Sequence, residues 1–155
     1  MSLTIDFKNK TVAVIGGTSG INRGVAELFA KHGARVAVAS RSEDKVNDTV
    51  SSLKSLGTKA MGFSADVRQL DELERGLAKV YETFGIIDVL VSGAAGNFPA
   101  TVNGMSSNAF RSVVEIDLLG TFHVMKSSFP YLRKPGASVI NISAPQSFLP
   151  MEAQA

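Results

Sequence analysis

Two places in this 155-residue chain hold residue types that could do chemistry. The first is Val12-Ala13-Val14-Ile15-Gly16-Gly17-Thr18-Ser19-Gly20-Ile21-Asn22-Arg23-Gly24, an apolar strand running into a glycine-rich turn that opens a helix. Gly16 and Gly20 let the backbone bend tightly and approach a pyrophosphate, whose charge the free N–H groups and positive dipole end of the helix then meet. Proteins hold dinucleotides in this way. The second is Asp117, a carboxylate inside the helical apolar stripe Phe110, Val113, Val114, Leu118, Phe122 and Met125. A carboxylate among apolar side chains is costly unless it is hydrogen-bonded, paired or kept protonated. Acid–base chemistry is one reason for it, and a structural carboxylate satisfied by water or a neighbouring backbone is the other.

The elements that must position these residues alternate. Short apolar runs predict strands at Val12 to Ile15, Arg35 to Ala39, Ala60 to Phe63, Ile87 to Ser92 and Ser138 to Ser143. A helix carrying Ile21, Val25, Leu28 and Phe29 on one side follows the first strand and stops at Gly33. The next starts at a Ser42 cap with Glu43 and Asp44 in its first turn, and continues with Val46, Val50 and Leu53 to Gly57. A third carries Leu70, Leu73, Leu77, Val80 and Phe84 to Gly85. Strands this continuously apolar, each separated by a helix, predict a parallel sheet covered on both faces with right-handed crossovers, a doubly wound α/β fold. The long loop falls at Gly93 to Met105, rich in Gly, Ala, Asn and Pro.

Composition excludes several classes. With 45% hydrophobic and 19% charged residues the chain is globular, and its length suits one domain. There are no cysteines, and His32 and His123 lie far apart, so no disulfide, thiolate metal site or structural zinc is expected. A net charge of +2 without a basic block gives no support to nucleic-acid binding. No run reaches the roughly 18 apolar residues of a membrane span, and the start lacks a leader pattern, so a cytoplasmic protein is expected.

With Ala65-Asp66-Val67 after the third strand, Ser92-Gly93-Ala94-Ala95-Gly96 after the fourth and Asn141-Ile142-Ser143-Ala144 at the end of the fifth, the chain resembles the short-chain dehydrogenase/reductase family along essentially its whole length. Ser92 to Pro99 and Glu115 to Phe122 are most similar to its 2,4-dienoyl-CoA reductase branch, notably the peroxisomal-type members. The resemblance implies a Rossmann domain whose cofactor contacts are Gly16, Thr18, Ser19, Gly20, Ile21, Ser40, Arg41, Asp66, Val67, Gly93, Ala94 and Ile142. Asp66 would accept from the adenine amino group with Val67 beside the ring, and Gly93 and Ala94 would lie against the adenine ribose. The other reading of Asp66 is a cap for the next helix. The second strand ends Val38-Ala39-Ser40-Arg41-Ser42, with no acid for a ribose 2′-hydroxyl, and Arg41 there favours NADP(H) over NAD(H). The alternative is a solvated Arg whose charge opposes the helix dipole. Asn22 stands where the family pattern has a third glycine, and either widens the helix–strand contact or turns its amide toward the phosphates.

The same resemblance gives Asp117 a catalytic role, ordering with a downstream Lys the water that supplies a proton after hydride transfer. The family's catalytic Ser position is Ala144, Ser143 reads as a structural hydroxyl, and the family's Tyr and Lys would fall beyond Ala155. Ending at Ala155 would leave Val139, Ile140 and Ile142 on an apolar edge and uncover the helix around Phe110. Residues 1–155 are therefore expected to be the amino-terminal part of a longer single-domain reductase, its carboxyl-terminal strands and helices missing. An NADP(H)-dependent oxidoreductase reducing an enoyl or dienoyl thioester is expected, as a homo-oligomer, dimer or tetramer, with a small-molecule substrate for which acyl-CoA is the candidate. A carbonyl reductase of the same family and a non-catalytic dinucleotide-binding protein are the alternatives. His123 reads as a surface or interface residue, His32 as a complement to a helix dipole, and Lys126, Arg133 and Lys134 as candidate attractors of acyl-CoA phosphates or merely solvated cations.

Overall fold

The computed structural model describes residues 5–145 and Leu149. Five strands, β1 (Thr11–Ile15), β2 (Arg35–Ser40), β3 (Ala60–Ser64), β4 (Val89–Ser92) and β5 (Ser138–Asn141), form one parallel sheet in the order β3-β2-β1-β4-β5. Helices α1 (Gly20–Lys31), α2 (Glu43–Ser55) and α3 (Leu70–Phe84) connect the first four strands, and α4 (Ser107–Val113) and α5 (Gly120–Ser128) precede the fifth. The doubly wound α/β expectation holds, and strand order reverses between β1 and β4, where such sheets open a ligand crevice. Among the described residues no helix is long and apolar enough to cross a membrane.

Period-2 alternation divides the sheet's side chains between two cores. Ala13, Ile15, Ala37 and Leu90 face α3 and α5 together with Leu73, Leu77, Val80, Phe84 and Val124. Val12, Val14, Val36, Val38, Val89 and Val91 face α1 and α2 with Ala26, Ala30 and Leu53. Leu53, Leu73 and Leu77 are completely buried, each contributing about 1.5–3 kcal/mol by transfer from water. The Ser42 cap forms as expected, its Oγ accepting from the Lys45 N–H at 3.4 Å.

Three expectations change. The buried side of α1 is Asn22, Ala26 and Ala30, with Val25 and Phe29 flanking, whereas Ile21 and Leu28 point to solvent. Small residues let this helix lie close to β1 and β2, so the bulky ones are displaced outward. Next, the helix expected around Phe110 is interrupted by a π-helical segment, Val114–Leu119, between α4 and α5. That wider turn holds Asp117 and ends at Gly120, whose missing Cβ would lie 2.6 Å from Val67 Cγ2. Finally, the cover expected on both faces of the sheet stops at β5, every residue of which is exposed, while the exposure of its apolar edge and of Phe110, Leu118 and Phe122 is as expected. Burial on both faces holds for β1 and β4 and fails for β5.

Candidate functional site

Carboxyl ends of β1, β2, β3 and β4 meet around one crevice of about 580 Å³. The Gly16 N–H donates to Ala39 at 2.8 Å, Ala65 to Ser40 at 3.0 Å and Gly93 to Ile15 at 3.0 Å, so each strand hands its successor loop to the same rim. Gly16 has φ +82°, and a Cβ there would come within 2.7 Å of the Ala94 nitrogen. Only glycine fits this turn. Gly20, the first residue of α1, has φ +53° and open space where its Cβ would stand, leaving the helix end bare for an anion.

One wall of the crevice belongs to β2 and the first turn of α2, where Ser40, Arg41, Ser42 and Lys45 line it. Arg41 is exposed and, among the described residues, in no salt bridge. Two cations on one rim suit a phosphate with more than one negative charge. Lys45 was missed in the sequence, although it sits four residues past Arg41 on a helix whose cap was legible. The opposite wall carries Asp66 and Val67. Asp66 does not cap α3, which starts after Gln69; its carboxylate accepts from Arg68 Nη2 at 2.5 Å and from the Arg68 N–H at 3.0 Å. Those hydrogen bonds from Arg68 hold the Asp66 carboxyl below the usual carboxylate range.

Asn22 departs from both sequence readings. Its Nδ2 donates to the Gly93 carbonyl at 2.7 Å, committing that end of the amide to the loop after β4 while the residue lines the crevice. The helix–strand contact stays close because Gly93 has no Cβ, which would lie 2.3 Å from that nitrogen. Asn22 Oδ1 is buried with no hydrogen-bond partner among the described residues.

Beyond Gly93 and Ala94 the lining continues through Ala95 and Ile116. Asp117, next to Ile116, accepts from the Gly96 N–H at 2.7 Å and is half-buried. The sequence alternative of a carboxylate satisfied by a neighbouring backbone is thus realised at one oxygen, while Oδ2 has no hydrogen-bond partner among the described residues. The stripe expected to bury Asp117 is largely open instead.

Of the sequence candidates, Gly16, Thr18, Ser19, Ser40, Arg41, Asp66, Val67, Gly93 and Ala94 line the crevice together. Gly20 and Ile21 follow at the start of α1, with Ile21 75% exposed, and Ile142 stands past β5, its N–H bonded to Ser92. Residues 146–148, 150 and 151–155 lie outside the described residues. His123, expected at the surface or an interface, is half-buried, and its Nδ1 bonds the Val67 carbonyl at 2.9 Å. Arg133 serves no phosphate in the crevice, since its Nε donates at 2.6 Å to Asp88, which precedes β4 at the other end of the sheet. Lys134 lies over the Phe129 ring, 3.8 Å from its centre.

A glycine turn at the switch point of a doubly wound parallel sheet defines a Rossmann-type nucleotide-binding fold. A family model described as short chain dehydrogenase matches residues 10–155, and the chain belongs to that family. It is 38% identical over 146 residues to the peroxisomal 2,4-dienoyl-CoA reductase of Arabidopsis thaliana, covering 88% of this chain and 49% of that protein. It is 37% identical over 142 residues to the protein of the same name from Danio rerio, covering 90% and 47%. Among solved structures, a citronellol catabolism dehydrogenase of Pseudomonas aeruginosa superposes with a TM-score of 0.88 at 27% identity, covering 99% of this chain and 62% of that one. The chain spans about half the length of the curated relatives it matches.

Proposed function

We propose that this chain is the cofactor-binding part of an NADP(H)-dependent reductase that delivers hydride to an enoyl or dienoyl thioester. The observation that carries the proposal is the crevice joining the loop before α1, the Arg41 and Lys45 rim and Ala95 and Ile116, whose chain neighbours Gly96 and Asp117 are hydrogen-bonded to each other. The relatives named 2,4-dienoyl-CoA reductase support a conjugated thioester as substrate.

The residues present fit the cofactor. Main-chain N–H groups from Thr18 through Ile21 would bind a diphosphate, the Gly16 and Gly17 N–H groups being given to the Ala39 carbonyl and their turn bringing the backbone close. Arg41 and Lys45, with Ser40, would clamp a ribose 2′-phosphate; Asp66 would accept from the adenine amino group with Val67 beside the ring. Gly93 and Ala94, on the crevice wall, would lie against the adenine ribose, and Ile142, held to Ser92 past β5, would approach the cofactor from that side. When bound, NADPH supplies the hydride. Asp117, anchored through Oδ1, keeps Oδ2 to hold a water that would pass a proton to the substrate and regain one from its second partner, the ammonium of a Lys beyond Ala155.

In this proposal residues 1–155 are the amino-terminal part of a longer single-domain, homo-oligomeric reductase. Half-length coverage of the relatives and the exposed apolar face of β5 support that placement. Residence in the cytoplasm is proposed as well; several relatives are named peroxisomal, and cell fractionation separates the two.

The test is NADPH oxidation by the full-length protein with a 2,4-dienoyl thioester and, separately, with a 3-oxoacyl thioester or ketone. Turnover of the dienoyl compound, reduced about a hundredfold or more in kcat by Asp117→Ala, is the expected result. Turnover of the carbonyl compound alone, or NADPH binding without any turnover, contradicts it.

A further inference from the structure

We propose that Arg68 makes the crevice selective for adenine by aiming the Asp66 carboxylate, a positioning role that rests on reading this crevice as a nucleotide site. Arg68 is not among the residues lining the crevice, while Asp66 is. The Arg68 side chain meets both oxygens of Asp66: Nε stands 3.0 Å from each and Nη2 stands 2.5 Å from Oδ2. The Arg68 N–H adds a fourth contact, 3.0 Å from Oδ1. A planar guanidinium meeting a carboxylate edge-on fixes the plane of that carboxylate, which a rotating ammonium does not.

The surrounding backbone is fixed independently. The Asp66 N–H donates to Glu72 Oε2 at 2.8 Å, from the first turn of α3. On the other side the Val67 carbonyl is bonded at 2.9 Å by His123 Nδ1, and a carbonyl can only accept, so that nitrogen carries the proton. Gly120 lets α5 approach Val67 closely enough that a Cβ would meet Val67 Cγ2 at 2.6 Å. With main chain held from α3 and α5, the remaining freedom at this corner is rotation of the Asp66 side chain, and Arg68 removes it.

The consequence is chemical. An ionised carboxylate only accepts hydrogen bonds, so it pairs with the exocyclic amino group of adenine and repels the exocyclic oxygen that hypoxanthine carries at the same position. A protonated Asp66 would offer an O–H and accommodate either base. Arg68, with a weaker contribution from Arg41, favours the ionised form, and since a carboxylate is already an acceptor at pH 7 the part left to Arg68 there is to aim it.

The experiment measures dissociation constants of the full-length protein for NADPH and for its hypoxanthine counterpart at pH 7, in wild type, Asp66→Ala, Arg68→Ala and Arg68→Lys, with thermal melts to confirm folding. Wild type is expected to prefer NADPH about tenfold or more, and Asp66→Ala to erase the preference. Arg68→Ala should reduce it to about threefold or less, mainly through weaker NADPH binding, and Arg68→Lys should restore it only in part. If Arg68→Ala fails to fold, Arg68→Lys against wild type carries the comparison. Equal weakening for both ligands, or an intact preference in folded Arg68 variants, overturns the inference while leaving the nucleotide site standing. Wild type that binds neither ligand overturns the underlying reading together with it.

Discussion

Strands β4 and β5 are hydrogen-bonded neighbours with the same kind of sequence and opposite surroundings. Val89, Leu90 and Val91 of β4 are buried, whereas Val139 and Ile140, paired with Leu90 and Val91, are 41% and 42% exposed. The contrast extends to the helices: Leu73, Leu77 and Val80 of α3 are fully covered, but Leu118 before α5 is 71% exposed. Ladder hydrogen bonds thus set where a strand goes, and packing from both faces sets whether its apolar side chains stabilise it. Strands β1, β2 and β4 are covered on both faces, although Ile21 and Leu28 on the outer side of α1 stay exposed. The half that carries Asp117 presents apolar surface of the sort that other polypeptide covers.

The largest blow to the closed half should come from Gly16→Val. The residue needs positive φ, and its Cβ would stand 2.9 Å or less from the backbone of Gly93 and Ala94. About 3 kcal/mol of stability, read by urea denaturation, and at least a hundredfold in nucleotide affinity are expected to be lost. A variant that binds normally would show that the corner is not tightly built.

Smaller is Asp88→Ala. Asp88 is buried, and its carboxylate accepts from the Thr11 N–H, from Arg133 and from Lys10, joining β1 to the segment that enters β5. Removal leaves the buried Thr11 N–H unpaired, at a cost of about 2 kcal/mol by chemical denaturation. Burial pushes the Asp88 carboxyl upward, but the bonds from Arg133, Thr11 and Lys10 outweigh it and leave the value lowered. A carboxyl depressed in the folded state contributes fully above its unfolded value of about 3.9 and loses that contribution as pH falls through the folded value. The acid side of the wild-type stability profile should therefore be steeper than that of Asp88→Ala below about pH 4.

The smallest effect should be in the open half. Leu118→Ser, at a position 71% exposed, is expected to change the stability of the 155-residue chain by no more than about 0.5 kcal/mol. A loss of 2 kcal/mol or more would mean that this face is covered in solution, and the contrast between the halves would fall.

Much of the closed half was legible because its signals are local. Glycines in a strand-to-helix turn, a Ser42 cap and the 3.6-residue spacing of Leu73, Leu77 and Val80 each follow from backbone and solvent physics alone. What escaped depends on contacts distant in sequence. Asn22 reaches Gly93, His123 reaches Val67 and Asp117 reaches Gly96, pairings 71, 56 and 21 residues apart that no local pattern encodes. The outward turn of Ile21 and Leu28 has the same origin, since the close fit of Ala26 and Ala30 against the sheet decides which side of α1 is inside. The π-helical turn at Val114–Leu119 likewise belongs to tertiary structure: a periodic apolar stripe reads as continuous helix whether or not one turn is wide.

The most direct test of the nucleotide site is the dissociation constant of NADPH and of NADH, measured side by side for the wild type and Arg41→Ala. Wild type should bind NADPH more tightly, and the substitution should weaken NADPH by about 10- to 100-fold while changing NADH by less than about threefold. Equal weakening of both, or a wild type indifferent to the 2′-phosphate, would contradict the assignment of Arg41 and the NADP(H) reading built on it.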